Sequence, residues 1–470
     1  MPKKASRKHF QQRLNEMVDT LRDEIISGRR AVGNFLPAES ELEKLFHLSN
    51  NSVRKGLAIL VQEGLIEKIP RVGNRVIAPS PERTATVKLG IHDTIEREAN
   101  IAGLLEEFHR RYPHIRVQTV ALPTGGYGRF VAECMEAGML DVVTINNVNY
   151  QEMVEDGNGE LLELLDAGSD VYPFLAEPFL CDGGTLVKPF IFSPVVLCYN
   201  RDHFREKGLF EPDSGWSWED LCRAARELAV KNKRFGFYCS LLARNRWPVF
   251  LLQGGVSFEP DARGEYRLSG TRLIECLEIG RDLLKSPDVF PVMLSASNAD
   301  AEELFLEEKV SMIMTTYFSL NELKDAPFSF DVAPLPSGRE FRTLLVIIGL
   351  AVNRKSQVKE AAKLLVDFLT SYEAQLAIRL KTLSIPADRR AAEWQGEERM
   401  ARPSRFHMYR EIVPTFRLLA DLRLTVRQIA ALQKEVKMFW TGLVDERSLC
   451  SRVERALSGV KPEDALQKTT

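Results

Sequence analysis

Residues 36 to 76 hold two short helical patterns and an alternating tail at the head of a 470-residue chain, far more chain than such a unit needs. Ser49, Asn50, Asn51 and Ser52 offer capping side chains ahead of Val53, Leu57, Leu60 and Val61, so the spacing predicts a helix beginning there. At about 100° per residue those four apolar positions share one face, and Asn51, Arg54 and Lys55 leave from the opposite one. A preceding helix carries Leu42, Leu45 and Phe46 and is broken by His47 to Ser49. The result is helix, turn and second helix, the arrangement that enters a DNA major groove. After Gly64, the alternation through Leu65, Ile66, Lys68, Arg71, Gly73 and Arg75 predicts a small hairpin able to reach phosphates.

The segment resembles the winged helix-turn-helix of the GntR family of bacterial transcription regulators over residues 10–78. The likeness rests on Gly28 closing a first helix, Leu36-Pro37-Ala38-Glu39-x-Glu41-Leu42, Ser49-x-x-Ser52-Val53-Arg54, Leu57, Leu60, Glu63-Gly64-Leu65-Ile66, and a wing with Gly73 and Val76. Where the family has arginines this chain has Ser40 and Asn50, and Arg71 replaces the first wing glycine. The resemblance implies DNA contacts at Asn50, Asn51, Ser52 and Arg54 and in the wing from Arg71 through Gly73 to Arg75, and Lys55 shares the exposed basic face.

Arg54 has the donors for a guanine edge, and Asn50 or Asn51 those for adenine, each bidentate contact giving about 1 to 3 kcal/mol of discrimination. The plainer alternative is an ordinary solvated helix face. Residues 1–80 carry a net charge of +5 and the remainder −7, as for a phosphate-binding head on an acidic body. Lys3, Lys4, Arg7 and Lys8 form a basic arm, either a further phosphate contact or a solubilising tail.

With 44% hydrophobic and 27% charged residues the composition is that of a globular protein, long enough for about three domains. No apolar run approaches the ~18 residues that span a bilayer, and the N-terminus has no signal-peptide pattern, so a cytoplasmic chain without a membrane partner is expected. Seven cysteines without a CxxC pair predict buried, reduced thiols rather than disulfides or a metal site. No HExxH, Walker loop or G-x-S-x-G occurs, so neither an enzyme nor a cofactor is called for.

Ile77 to Thr86 is rich in Pro, Ser, Thr and charge, and residues 79–86 read as a linker. Beyond it Val87 to Ile91, His114 to Ala121 and Leu140 to Ile145 read as strands and Ala102 to Tyr112 as a helix, predicting an α/β body with parallel sheets over residues 87–465. This body resembles the sugar-binding solute-binding proteins of bacterial ABC importers, with a fold like that of maltose-binding protein. The matching pieces include Leu104-Leu105-x-x-Phe108, Tyr112-Pro113, Asp141-Val142, Tyr199-Asn200-Arg201-Asp202, Trp216-Ser217-Trp218-Glu219-Asp220-Leu221, Phe305-x-x-x-Lys309-Val310-Ser311-Met312 and Asp331-Val332-Ala333-Pro334-Leu335-Pro336.

The resemblance implies a periplasmic-binding-protein-like, two-lobed fold with hinge crossings near Val195 to Asn200 and Leu344 to Asn353, and a ligand in the cleft. Sugar sites need flat aromatic faces and polar partners for hydroxyls. His92, Tyr127, Asn146, Asn147, Trp247, Tyr317 and Phe318 are the candidates, each with a bland reading as core, turn or strand-end residue. Trp216 and Trp218 are read as capping and stapling a helix.

The combined expectation is a transcription regulator whose solute-binding body senses a small molecule, a sugar or oligosaccharide, and acts as a homodimer on a palindromic double-stranded operator. Two alternatives stay open: a cytoplasmic solute-binding module without DNA affinity, and a sensor of a non-sugar ligand such as a peptide or amino-acid derivative.

Overall fold

The structure is a computed structural model and describes residues 13–77 apart from 15, 23 and 26–28, and residues 85–458 apart from 124, 169, 287–288, 292–298 and 398–399. The basic arm and Gly28 lie outside the described residues, as does most of the linker.

In the head, helix α1 (Glu39–Phe46) leads through a left-handed His47 into α2 (Asn50–Gln62). Val53, Leu57 and Leu60 of α2 are buried together with Leu14, Met17, Val18 and Leu21 of the preceding helical segment, and Leu65, Ile66 and Val76 of the wing close the core. Leu45 departs from the expected inward face and is 65% exposed, while Leu42 is buried. Strands β1 (Ile66–Ile69) and β2 (Gly73–Val76) pair antiparallel as the wing hairpin. Its turn holds Arg71 at φ 66° and Gly73 at φ 144°, so a left-handed conformation falls on an arginine where a glycine would carry no strain.

The body is built on one ten-stranded sheet. Strands β3 (Ala85–His92), β4 (Ile115–Leu122) and β5 (Val142–Asn146) run parallel in the first lobe. Two long strands come next in chain order: β6 (Lys188–Asn200) and, after β7 (Phe235–Tyr238), β8 (Val310–Thr316) and β9 (Phe330–Ala333) of the second lobe, β10 (Thr343–Val352). The sheet order is β4-β3-β5-β10-β6-β8-β7, with β9 also on β6. Because β10 is antiparallel to both β5 and β6, and β8 to β6, the sheet is mixed, not parallel as expected. β10, which returns from the second lobe to the first, runs against β6, which makes the opposite crossing, and against β5 of the lobe it enters.

β6 is the crossing. Through Pro194 it pairs with β10, and from Val195 onward it pairs with β8 and β9. The predicted hinge segments fall on the second half of β6 and on β10, and both strands are buried almost throughout. A β-bulge shifts the β6/β10 register between Ile348 and Gly349. A Cβ on Gly349 would stand 2.4 Å from Val187 Cγ1 and 2.7 Å from the Lys188 carbonyl oxygen, which explains a glycine in an otherwise branched strand.

Each lobe has its own core. Phe108, Leu104 and Val87 pack with Phe368 and Leu365 in the first, and Trp247, Phe250, Leu277 and Phe439 in the second. Cys134, Cys198, Cys239 and Cys276 are buried as expected, whereas Cys181 is exposed and Cys222 and Cys450 are half-buried; no disulfide joins any of these thiols. At the helix Trp218–Leu228 the cap is Ser217, in a reciprocal pair with Asp220, and Trp218 Nε1 donates to Gln253 Oε1 at 2.7 Å. No helix among the described residues is long and apolar enough to cross a membrane.

Candidate functional site

α2 presents Asn51, Arg54 and Lys55 to solvent, because its apolar positions hold the opposite face against the head's core. Ser52 is turned inward at 4% exposure, its Oγ 2.7 Å from Ser49 Oγ at the helix start. Asn50 is half-buried and donates from Nδ2 to Glu43, while Arg54 Nε donates to Glu39 Oε2 at 2.8 Å. In the wing Arg71 is exposed, and Arg75 pairs with Glu67 directly across the hairpin at 2.5 Å. Arg54–Glu39 and Arg75–Glu67 are surface ion pairs, worth about 0 to 1 kcal/mol each.

In the body a cavity of about 260 Å³ lies where the strands cross. The first lobe contributes His92 at the end of β3, Thr94, Arg97 and Glu98 from the helix α3 (Ile95–Ala99) and its approach, and Tyr127, Thr144, Asn146 and Asn149. The second lobe contributes Asn245, Arg246 and Glu302, and the crossing region Thr316, Phe318, Ser319, Glu322, Val346 and Ile348.

The polar wall is largely preorganised. His92 donates its backbone N–H to Thr144 Oγ1 at 3.3 Å, and its ring Nδ1 lies 2.9 Å from Thr94 Oγ1. The Tyr127 hydroxyl is taken up by the Thr144 carbonyl, and Asn146 Oδ1 accepts from Val148 N at 3.0 Å and Asn149 N at 2.8 Å as a helix cap. Arg97 and Glu322 form an ion pair at 2.7 Å. Arg246, 2% exposed, donates to the Met314 carbonyl at 3.0 Å and the Asn245 carbonyl at 3.2 Å. Glu302 accepts from the Thr315 hydroxyl. Burial pushes the Glu302 carboxyl up to about 7, with the Thr315 hydrogen bond and Arg246 opposing. Burial does the same to Glu98, also up to about 7, and its Oε2 has no hydrogen-bond partner.

Of the residues singled out from sequence, His92, Tyr127, Asn146 and Phe318 line this cavity. Asn147, Trp247 and Tyr317 are not in its wall. Asn147 is buried and accepts from Ile347 N at 2.9 Å, Trp247 is fully buried in the second-lobe core, and Tyr317 donates to the Phe406 carbonyl at 2.9 Å. Glu98, Glu302 and Arg246 escaped sequence reasoning. A signal existed for the carboxylates, since each occupies an inward position of an apolar stripe: Ile95, Glu98 and Ala99 in one helix, Ala301, Glu302 and Phe305 in the other.

Comparisons with known proteins agree with this architecture. The model of the bacterial extracellular solute-binding protein family matches residues 93–376, and that of the bacterial regulatory proteins of the gntR family matches residues 14–76. A binding protein of Brucella abortus strain 2308 is 27% identical over 210 residues, 43% of this chain and 50% of the relative. The chain thus spans about half the length of the curated relatives it matches.

Among solved structures, maltose-bound MalE3 of T. maritima superposes with a TM-score of 0.69 at 18% identity, over 80% of this chain and 99% of that one. An ABC substrate-binding protein of Listeria monocytogenes in complex with cycloalternan gives 0.67 at 20% identity, over 80% and 98%. The maltotriose-binding protein of Thermus thermophilus with maltotriose gives 0.63 at 18% identity, over 79% and 98%. At such identities the likeness establishes the fold: two lobes on crossing strands. With more than half its length matched, the chain belongs to the bacterial extracellular solute-binding protein family and carries a gntR-family helix-turn-helix domain at its head.

Proposed function

We propose that this chain is a ligand-responsive transcription regulator: a small saccharide occupies the cavity between the lobes and changes the affinity of the winged helix for its operator. The observation that carries this reading is the cavity beside β10 and the end of β8, walled by both lobes and lined with hydrogen-bonding side chains, in a chain whose head matches the gntR family. The structural neighbours that hold maltose, cycloalternan and maltotriose support a sugar. The volume, about 260 Å³, lies just below the usual ligand-pocket range of about 300 to 1,000 Å³, and Tyr127 and Phe318 are among its lining residues, which favours one sugar ring over a long oligosaccharide.

On DNA, Asn50, Asn51, Arg54 and Lys55 read the major groove while Arg71, Gly73 and Arg75 bring the wing to the phosphates, with Ser52 setting the start of the helix. One winged helix makes few contacts, so the active form is a homodimer on a palindromic site, working in the cytoplasm without catalysis. Thermal-shift screening of the full chain against monosaccharides and oligosaccharides, followed by gel shifts on the chain's own upstream DNA with and without the hit, tests the reading. A hit that shifts melting and alters retardation supports it, and a chain that binds sugars yet never retards DNA contradicts it.

That last outcome is the second reading, a solute-binding module without DNA affinity. Asn50, which stands where the gntR-like pattern has an arginine and is bonded to Glu43, favours it.

A further inference from the structure

The charges around the cavity do not balance. Arg97 and Glu322 neutralise one another at 2.7 Å, and Glu302 faces Arg246 across the second-lobe wall. Glu98 is left over. It is 8% exposed, its Oε2 has no hydrogen-bond partner, and the charges that reach it are the already paired Arg97 together with Asp93 and Glu322, both of its own sign. A buried carboxyl without a counter-charge of its own takes up a proton or stays charged at a cost in solvation, and a bound cation offsets that cost.

With this cavity as the effector site, a reading on which the inference depends, we propose that the effector is a saccharide carrying an ammonium group, an amino sugar whose nitrogen donates to Glu98. The hydroxyls of such a ring meet Thr94, Asn146 and Asn149, and the ammonium supplies the missing positive charge. A neutral hexose satisfies the same hydroxyl partners but supplies no positive charge for the carboxylate form of Glu98.

Proton movement distinguishes the two. Burial pushes the Glu98 carboxyl up to about 7, the Thr94 hydroxyl and Arg97 opposing and Asp93 and Glu322 adding to the rise, so near neutral pH acid and carboxylate coexist in the free protein. An ammonium stabilises the carboxylate, and its binding expels a proton. A sugar hydroxyl accepts from the acid form and expels none. The other groups near this end of the cavity are His92, bonded through Nδ1 to Thr94, and Arg246 and Glu302 in the second-lobe wall. A Glu98→Gln variant therefore assigns the proton.

The test is calorimetric titration of the full chain at pH 7 in two buffers of different ionisation enthalpy, with glucosamine, galactosamine and mannosamine against their parent hexoses and N-acetyl forms. The expected result is at least tenfold tighter binding of one amino sugar than of its parent and its N-acetyl form, with proton release. Glu98→Gln should abolish both the preference and the release while melting no lower than wild type. Equal or tighter binding of the neutral sugars, or a preference that survives Glu98→Gln, overturns the ammonium proposal and leaves the saccharide reading standing. Glu98-dependent binding of ethanolamine with no sugar bound does the reverse. Failure of every amine to bind overturns the proposal outright, and if Glu98→Gln does not fold, the comparison of amine with N-acetyl forms on the wild type decides.

Discussion

The Arg22 guanidinium lies 5.3 Å from the centroid of the Tyr112 ring, joining the first helical segment of the gntR-family head to the first lobe of the body. Arg22 is 4% exposed and is held by Glu63 through Nε at 3.0 Å and Nη2 at 2.5 Å, and also by Asp19. Tyr112 ends the helix α4 (Ile101–Arg111), whose buried face packs in the first-lobe core, and Arg111 reaches Asp19 at 3.6 Å. Glu63 comes directly after α2, so a movement of the first lobe has a short physical path to that helix.

Tyr112→Leu tests that path. The leucine keeps apolar volume against Phe108 and Phe368 but removes the ring beneath the guanidinium, an interaction of about 0.5 to 2 kcal/mol. Solute affinity and operator affinity measured separately should stay near wild type, while the change in one on adding the other shrinks. Full coupling in the variant, read by fluorescence anisotropy, would place the path elsewhere.

Arg71→Gly separates strain from charge in the wing. Arg71 is held at φ 66°, a conformation that costs an ordinary residue about 1 kcal/mol or more, so the glycine variant should unfold at higher urea, by about 1 kcal/mol. It should also bind operator more weakly, with a salt dependence lower by about one phosphate contact. Gain of stability with unchanged DNA binding would show that Arg71 contacts no phosphate.

The hinge strand predicts a steric result. Gly349→Val places methyl groups against Val187 and the Lys188 carbonyl at the bulge and should lose about 1 to 3 kcal/mol in chemical denaturation. Gly125→Ala, where a Cβ meets nothing within 4 Å, should change little and serves as the control.

Glu98 makes stability depend on pH in a defined direction. Its folded-state value, about 7, is above the ordinary value, 4.5, so the native state binds more protons than the unfolded chain between them. Stability from this group is therefore greatest at the acid side of that window and falls as pH rises towards 7, by roughly a few kcal/mol. Urea midpoints measured from pH 5 to pH 8 should fall less in Glu98→Gln than in wild type. Parallel profiles would remove Glu98 as the cause.

Much of this was legible in the chain itself. The periodicity of Val53, Leu57 and Leu60 located α2, which starts at Ser49 although that side chain bonds Ser52 and caps no backbone N–H, and the apolar runs at Val195 and Leu344 marked the crossing strands, because local pattern and tertiary role coincide there. The sheet's mixed direction was not legible, since strand polarity depends on which lobe the chain returns to, and no local pattern records that. For the cavity the aromatic criterion reached only part of the wall: Tyr127 and Phe318 line it, Trp247 and Tyr317 are large enough to be claimed by the cores, and Glu98, Glu302 and Arg246 line it too. Such charged residues are read as surface until burial is known.

Linkage between the cleft and the DNA face is the central claim, and titrating the best-binding saccharide into the full chain by calorimetry, with and without its operator fragment, tests it most directly. The two dissociation constants should differ by a factor of about 5 to 150, and saturating saccharide should change operator affinity by the same factor. Identical saccharide affinity in the two titrations would contradict it.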